Sequence, residues 1–222
     1  VMLKWENAKN RSTETKLILL FALLLGIATG VHLITISIII PLSLLFTHKK
    51  FGLSIKNIVI SLIIGCVLFF SIYFFAIQGL IKISSFIDIW LVNTLKLKVN
   101  IGVIITVVVL FIFFLISLWL THKKNKFVLH NITLAILFFL IGFSSYIMPL
   151  QRASANTLIA NGVSNSHRML QYIKGDQFGI GNIPLFKGYA YNAPLDKDTP
   201  FTKGKPTVSF NSNTQQYITI DN

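Results

Sequence analysis

Few side chains in this sequence could do chemistry. The 222 residues carry seven carboxylates, Glu6, Glu14, Asp88, Asp176, Asp196, Asp198 and Asp221, and none falls inside a predicted membrane span. A general base, a metal clamp or a proton relay normally needs an acidic group held in place. Proton-coupled transport by this stretch alone is therefore disfavoured. Asp88, Asp176, Asp196 and Asp198 remain candidates, set against a plain solvating role in turns. His32 is the most informative polar residue near the apolar runs. At an outward turn it would meet an anionic headgroup or a phosphate, or else bond a carbonyl of a broken helix. Arg152 closely follows the last apolar run. A guanidinium there suits a bidentate grip on phosphate, or simple snorkelling to headgroups. Tyr191, with Tyr189 and Phe186, could stack on a sugar or peptide or close a small core. The single cysteine, Cys66, lies in an apolar segment, and no metal-ligand spacing accompanies it.

The elements that would position these residues follow from composition. Hydrophobic residues make up 54% of the chain and charged residues 12%, with a mean hydropathy of +0.71. A soluble domain carries about twice that charge fraction. The net charge of +13 does not point to nucleic acid, because the lysines cluster beside apolar runs. Lys49 and Lys50, and then Lys123, Lys124 and Lys126, look like cytoplasmic connectors under the positive-inside bias. They also attract anionic lipid headgroups.

The first apolar run, 17–46, is long for one crossing of ~20 residues and short for two. Basic residues flank both ends, which favours a short helical hairpin turning near residues 31–35. Gly26, Gly30 and Pro41 would let its arms pack closely. The alternative is one long tilted helix kinked at Pro41. Plain spans follow at 58–77, 101–120 and 127–148. The mixed stretch between the first two reads as an amphipathic interfacial helix over 80–95, anchored by Trp90. Residues 1–16 are placed in the cytoplasm, 17–149 in the membrane region, and 150–222 outside the cytoplasm as the start of a larger soluble domain. Within that tail, residues 166–173 read as a short helix capped by Asn165 or Ser166. Residues 207–210 and 216–220 alternate like strands. The fold class is thus an all-α polytopic membrane protein with a small mixed extracytoplasmic C-terminal region.

Three stretches carry a family resemblance. They are GIATGVHLITISIIIPLSLLFTHKKF at 26–51, the THKK loop at 121–124 with a span ending GFSSYIM, and RASAN at 152–156 followed by LQYIKGDQFG and PLFKGYAYNAPLDKDTP. Together they resemble the protein O-mannosyltransferase-like membrane family of Bacteroidota (domain of unknown function 2723). That resemblance implies a C-type glycosyltransferase-like helical bundle. It implies a multi-pass protein of the bacterial inner membrane with a periplasmic C-terminal region. The enzyme would transfer a sugar from a polyprenyl-phosphate carrier to protein acceptors. Its catalytic acid is expected upstream of this chain, which would then be an internal piece, inactive alone. His32, Arg152, Asp176 and Tyr191 become the substrate-binding candidates. Membrane lipids, the polyprenyl-phosphate sugar and a protein acceptor are the implied partners, and nucleic acid is not among them. No cofactor is evident, the lipid-linked sugar is a substrate, and a divalent metal is left open. The chain departs from the family pattern at 157–162 and at Gly175. A non-catalytic transporter or envelope-assembly scaffold module is the alternative reading.

Overall fold

The structure is a computed structural model that describes residues 1–148, 163–175 and 206–220. Local sequence sets most of the helix ends. The Asn10 side chain accepts the Ser12 amide at 2.9 Å and starts the helix at Arg11, one to two turns before the apolar run begins. Ser54 caps Asn57 in the same way, and Gly52, at φ 71°, closes the preceding helix in a conformation that favours glycine. In chain order the helices are α1 (Met2–Glu6), α2 (Arg11–Val31), a 3-10 stretch (Leu33–Ile38), α3 (Ile39–Phe51), α4 (Ile55–Ser71), a π-helical stretch (Ile72–Gly79), α5 (Leu80–Leu95), α6 (Ile101–Lys123), α7 (Phe127–Phe143), a 3-10 turn (Ser144–Ile147) and α8 (Ser166–Lys174). Strands β1 (Thr207–Asn211) and β2 (Gln216–Ile220) pair antiparallel, with Ser209 opposite Ile218.

Among the described residues, five helical stretches are long and apolar enough to cross a membrane: Arg11–Val31, Leu33–Phe51, Ile55–Leu95, Ile101–Lys123 and Phe127–Ile147. Large apolar side chains such as Ile63, Phe70, Val108, Phe113 and Ile132 stand exposed along them. In water that surface would drive aggregation; against lipid it costs nothing. The chain divides into two compact units, Val1–Gly79 with Val107–Gln151, and Leu80–Thr106 with Arg152–Asn222.

In the first unit, the apolar run is divided at His32. That residue is extended, at φ −146° and ψ 111°, between α2 and the 3-10 stretch. Pro41 sits in the first turn of α3, where its missing N–H breaks no intrahelical bond. The second arm returns to the start of the first: Lys49 and Lys50 reach Glu14 at 2.7 and 3.1 Å. Trp5 of α1 is fully buried there, stacked on Phe46 at 5.5 Å with the Lys49 ammonium 4.4 Å above its ring. Lys49 also bonds the carbonyls of Trp5 and Ala8.

The glycines do a different job from the one expected of them. Gly26 and Gly30 pack α2 against α7 and the turn after it, not against the returning arm. A methyl group on Gly26 would lie 2.1 Å from the Phe139 carbonyl, and one on Gly142 would lie 2.3 Å from that of Leu23. Gly30 meets Ser145 equally closely. In lipid there is no hydrophobic drive between helices, so close backbone approach supplies the dispersion energy instead. The arm α3 packs on α4, where Ser43 Oγ donates to the Ser61 carbonyl at 2.8 Å across the pair.

In the second unit, α5 packs against α8 and β2. A helix forms where the sequence reading places one, over Leu80–Leu95, and its polar side is packed. Ser84, Ser85 and Asp88 are buried with Leu91 and Val92, whereas Ile83, Phe86 and Trp90 are exposed. The polar face is the packed face because its neighbours bring hydrogen-bond donors to it. The tail elements agree with the sequence reading: Asn165 caps α8 by accepting the Arg168 amide at 2.9 Å, and both strands form where alternation placed them.

Candidate functional site

Asp88 is the best-built polar feature in the described residues. It lies on α5 with no exposed surface. Its Oδ1 accepts the Gly102 amide at 2.9 Å, and its Oδ2 accepts the Asn100 amide at 3.1 Å and the Tyr217 hydroxyl at 2.8 Å. Two of those donors open α6, so the carboxylate also faces the positive end of a helix dipole. Close approach is possible only because residue 102 is glycine: a methyl group there would stand 2.4 Å from the Asp88 amide nitrogen. Asn100 adopts φ 72°, a left-handed turn that asparagine tolerates.

The same residues tie the tail down. Asn93 pairs with the Tyr217 backbone in both directions, each bond at 2.9 Å, as a strand neighbour would. The Asn100 side chain donates to the Ser164 carbonyl at 3.0 Å and accepts the Ser166 amide at 3.2 Å. Ser85 Oγ lies 3.1 Å from His167 Nδ1, and Gln171 lies 3.3 Å from the other ring nitrogen. Burial pushes the Tyr217 phenol well above its ordinary range, and the Asp88 carboxylate adds to that, while Ser166 works the other way. An acid with no open face and three donors already on it cannot take a proton from an outside substrate in this conformation. Asp88 therefore anchors three chain segments rather than reacting. The sequence reading weighs it as a candidate against a solvating role and places it outside every span; it lies instead within the helical stretch Ile55–Leu95, which is long and apolar enough to cross a membrane. The missed signal was the spacing of Ser84, Ser85 and Asp88 on one helical face that continues as Leu91 and Val92.

His32 occupies the opposite kind of place. It is exposed at the end of α2, its amide donates to the Ala28 carbonyl at 2.9 Å, and its carbonyl accepts from Thr35 at 3.0 Å. Its ring makes no hydrogen bond to the described residues, so both nitrogens can serve a ligand. Arg152, Asp176 and Tyr191 lie outside the described residues. Among the described residues, no three His, Cys, Asp or Glu side chains come together as a metal site would require.

The first unit also sorts charge by end. Helices α2 and α7 run parallel: Arg11 lies 4.5 Å over the Phe127 ring at their start, and Gly30 meets Ser145 where they finish. Arg11, Lys49, Lys50, Lys124 and Lys126 therefore share one end, and His32 stands at the other. Helices of this length and apolarity, arranged with basic residues at one end, define a multi-pass membrane protein. Residues 1–55 of the chain match the family described as protein O-mannosyl-transferase TMEM260 N-terminal domain. That match covers α1, α2, the 3-10 stretch and α3, and so includes His32. No curated protein and no solved structure matches the chain.

Proposed function

We propose that this chain is part of an integral membrane glycosyltransferase that moves a sugar from a polyprenyl-phosphate carrier to protein hydroxyls. The reaction takes place on the extracytoplasmic side of the bacterial inner membrane. The observation that carries this reading is the O-mannosyltransferase family match over residues 1–55, which falls on the helical pair that turns at His32. The charge arrangement supports the direction: the lysine-rich end faces the cytoplasm, so His32 and the tail face outward. There His32 would stabilise the departing polyprenyl phosphate, and Arg152, Asp176 and Tyr191 are the further candidates for contact with phosphate, sugar or acceptor. The second unit holds the tail as an outer platform through Asp88.

Two experiments test this. His32→Ala and Arg152→Ala, made separately in the full-length enzyme, each lower sugar transfer at least tenfold. Unchanged transfer in both removes the assignment and favours a scaffold. Thiol labelling of single cysteines at 160–200 reaches them from the periplasm; access only from the cytosol overturns the orientation.

A further inference from the structure

The far, lysine-rich end of the first unit carries a second feature that the sugar-transfer reading does not use. Helices α6 and α7 leave the tight turn at Lys124–Lys126 with a cleft of about 460 Å³ between them. Its walls are Phe113, Phe114 and Leu120 on one side and Leu129, Ile132 and Ile136 on the other, and Lys124 and Lys126 line it at the loop end. The volume falls within the usual range for small-ligand sites of roughly 300–1,000 Å³. Two of the lining hydroxyls are already used: Thr121 bonds the Ser117 carbonyl at 2.8 Å and lies 3.0 Å from His130, and Thr133 bonds the Leu129 carbonyl at 2.9 Å. Apart from Ser117, what remains inside is apolar.

The mouth is the reverse. Among the described residues, Lys123, Lys124 and Lys126 have no carboxylate within ion-pair distance, unlike Lys49 and Lys50, which share Glu14. Arg11 stands over Phe127 at the same end. The α7 N-terminus opens here as well, and Lys126 gives it no side-chain cap. Its first-turn amides and its dipole thus add to the positive charge. An apolar slot between membrane helices with unneutralised cations at one rim is complementary to an acyl chain below a phosphate.

We propose that the α6–α7 cleft binds an anionic glycerophospholipid, with one acyl chain between Phe114 and Ile132 and its headgroup phosphate at Lys124 and Lys126. The site lies at the end of the unit away from His32, so it is separate from the place where the donor phosphate is proposed to react. A lipid held there would fix the spread of two helices that the turn alone leaves apart.

Native mass spectrometry of the purified full chain, from detergent micelles doped equally with phosphatidylglycerol and phosphatidylcholine of matched chains, tests this directly. The wild type retains phosphatidylglycerol over phosphatidylcholine. Lys124→Gln with Lys126→Gln weakens that retention about 10- to 30-fold, as expected when two surface lysines stop facing an anionic headgroup. Lys9→Gln with Lys56→Gln leaves it unchanged. Ile132→Trp fills the cleft from an exposed position and also abolishes retention, with circular dichroism confirming that the helices remain. Equal retention of both lipids overturns the proposal. Retention that survives Ile132→Trp reduces the effect to loose surface attraction and overturns the cleft. Undecaprenyl phosphate displacing phosphatidylglycerol at equal concentration overturns the choice of occupant.

Discussion

The two units solve the same problem, holding a chain together where water does not help, by opposite means. The α2–α7 seam is built from absent side chains: Gly26 and Gly142 let backbone meet backbone, and Gly30 makes room for the Ser145 hydroxyl. The Asp88 node is built from a present one, a carboxylate whose burial is tolerated because three donors converge on it. The seam is cheap in polar groups and unforgiving in volume. The node depends first on keeping each donor and acceptor paired, though it too relies on a glycine, Gly102, for its close approach. Membrane helices favour the first device, because small residues maximise contact without any buried charge. A polar tail docking on a helix can use the second, because its own backbone brings the partners.

That contrast can be broken in graded steps. Gly26→Leu has the largest expected effect. It places a branched side chain where a methyl group already meets the Phe139 carbonyl, and overpacking of that kind costs about 3 kcal/mol or more. Thermal unfolding in detergent should show the first unit failing, while hydrogen exchange across 207–220 keeps its pattern. If Gly26→Leu unfolds at the wild-type temperature, the seam is not steric.

Asp88→Ala comes next. It strands the amides of Asn100 and Gly102 and the Tyr217 hydroxyl in a buried place, at about 2–3 kcal/mol. Protection from hydrogen exchange should fall across α8 and the β-hairpin, with α2 and α7 unaffected. Loss confined to α5 would show that the tail is held by something else.

Tyr217→Phe removes one charge-assisted bond and should cost about 1.5–2 kcal/mol. The phenol also gives a spectroscopic check. Its pKa is raised in the folded state, so the stabilisation it provides is complete below the ordinary tyrosine value of about 10 and is lost as pH climbs through the raised one. An absorbance titration should therefore show one tyrosine ionising late, and that late component should vanish in Tyr217→Phe. Ser43→Ala is the mildest test, since interhelical hydroxyl bonds in membranes average about 0.6 kcal/mol. A shift as large as that of Asp88→Ala would mean the α3–α4 pair relies on polar contacts after all.

Much of the first unit was legible in the apolar runs of residues 11–79 and 107–148, because apolar length and flanking lysines respond to one long-range constraint, the membrane. The start of α8 was legible from its cap at Asn165; the caps at Asn10 and Ser54 came from the structure. The partners of the glycines were not legible. A Gly-x-x-x-Gly stripe states that something packs closely but not what, and here α7 took the place assigned to α3. The candidate site divided in the same way. His32 stood out because a polar ring interrupting an apolar run is visible in one dimension. Asp88 did not, because its three donors come from residues 12, 14 and 129 positions away.

The sequence by itself determined that the chain crosses a lipid bilayer several times, and it located the turns near His32 and at 121–126, but not the continuous helical stretch Ile55–Leu95. Twenty apolar residues in a row have few other stable homes, and lysines mark where the backbone leaves the hydrocarbon. Only the tertiary structure decided which faces meet, and so turned Asp88 from a surface charge into the anchor of the tail. Burial of a charge depends on donors that distant segments deliver, and no local pattern of residues records their arrival.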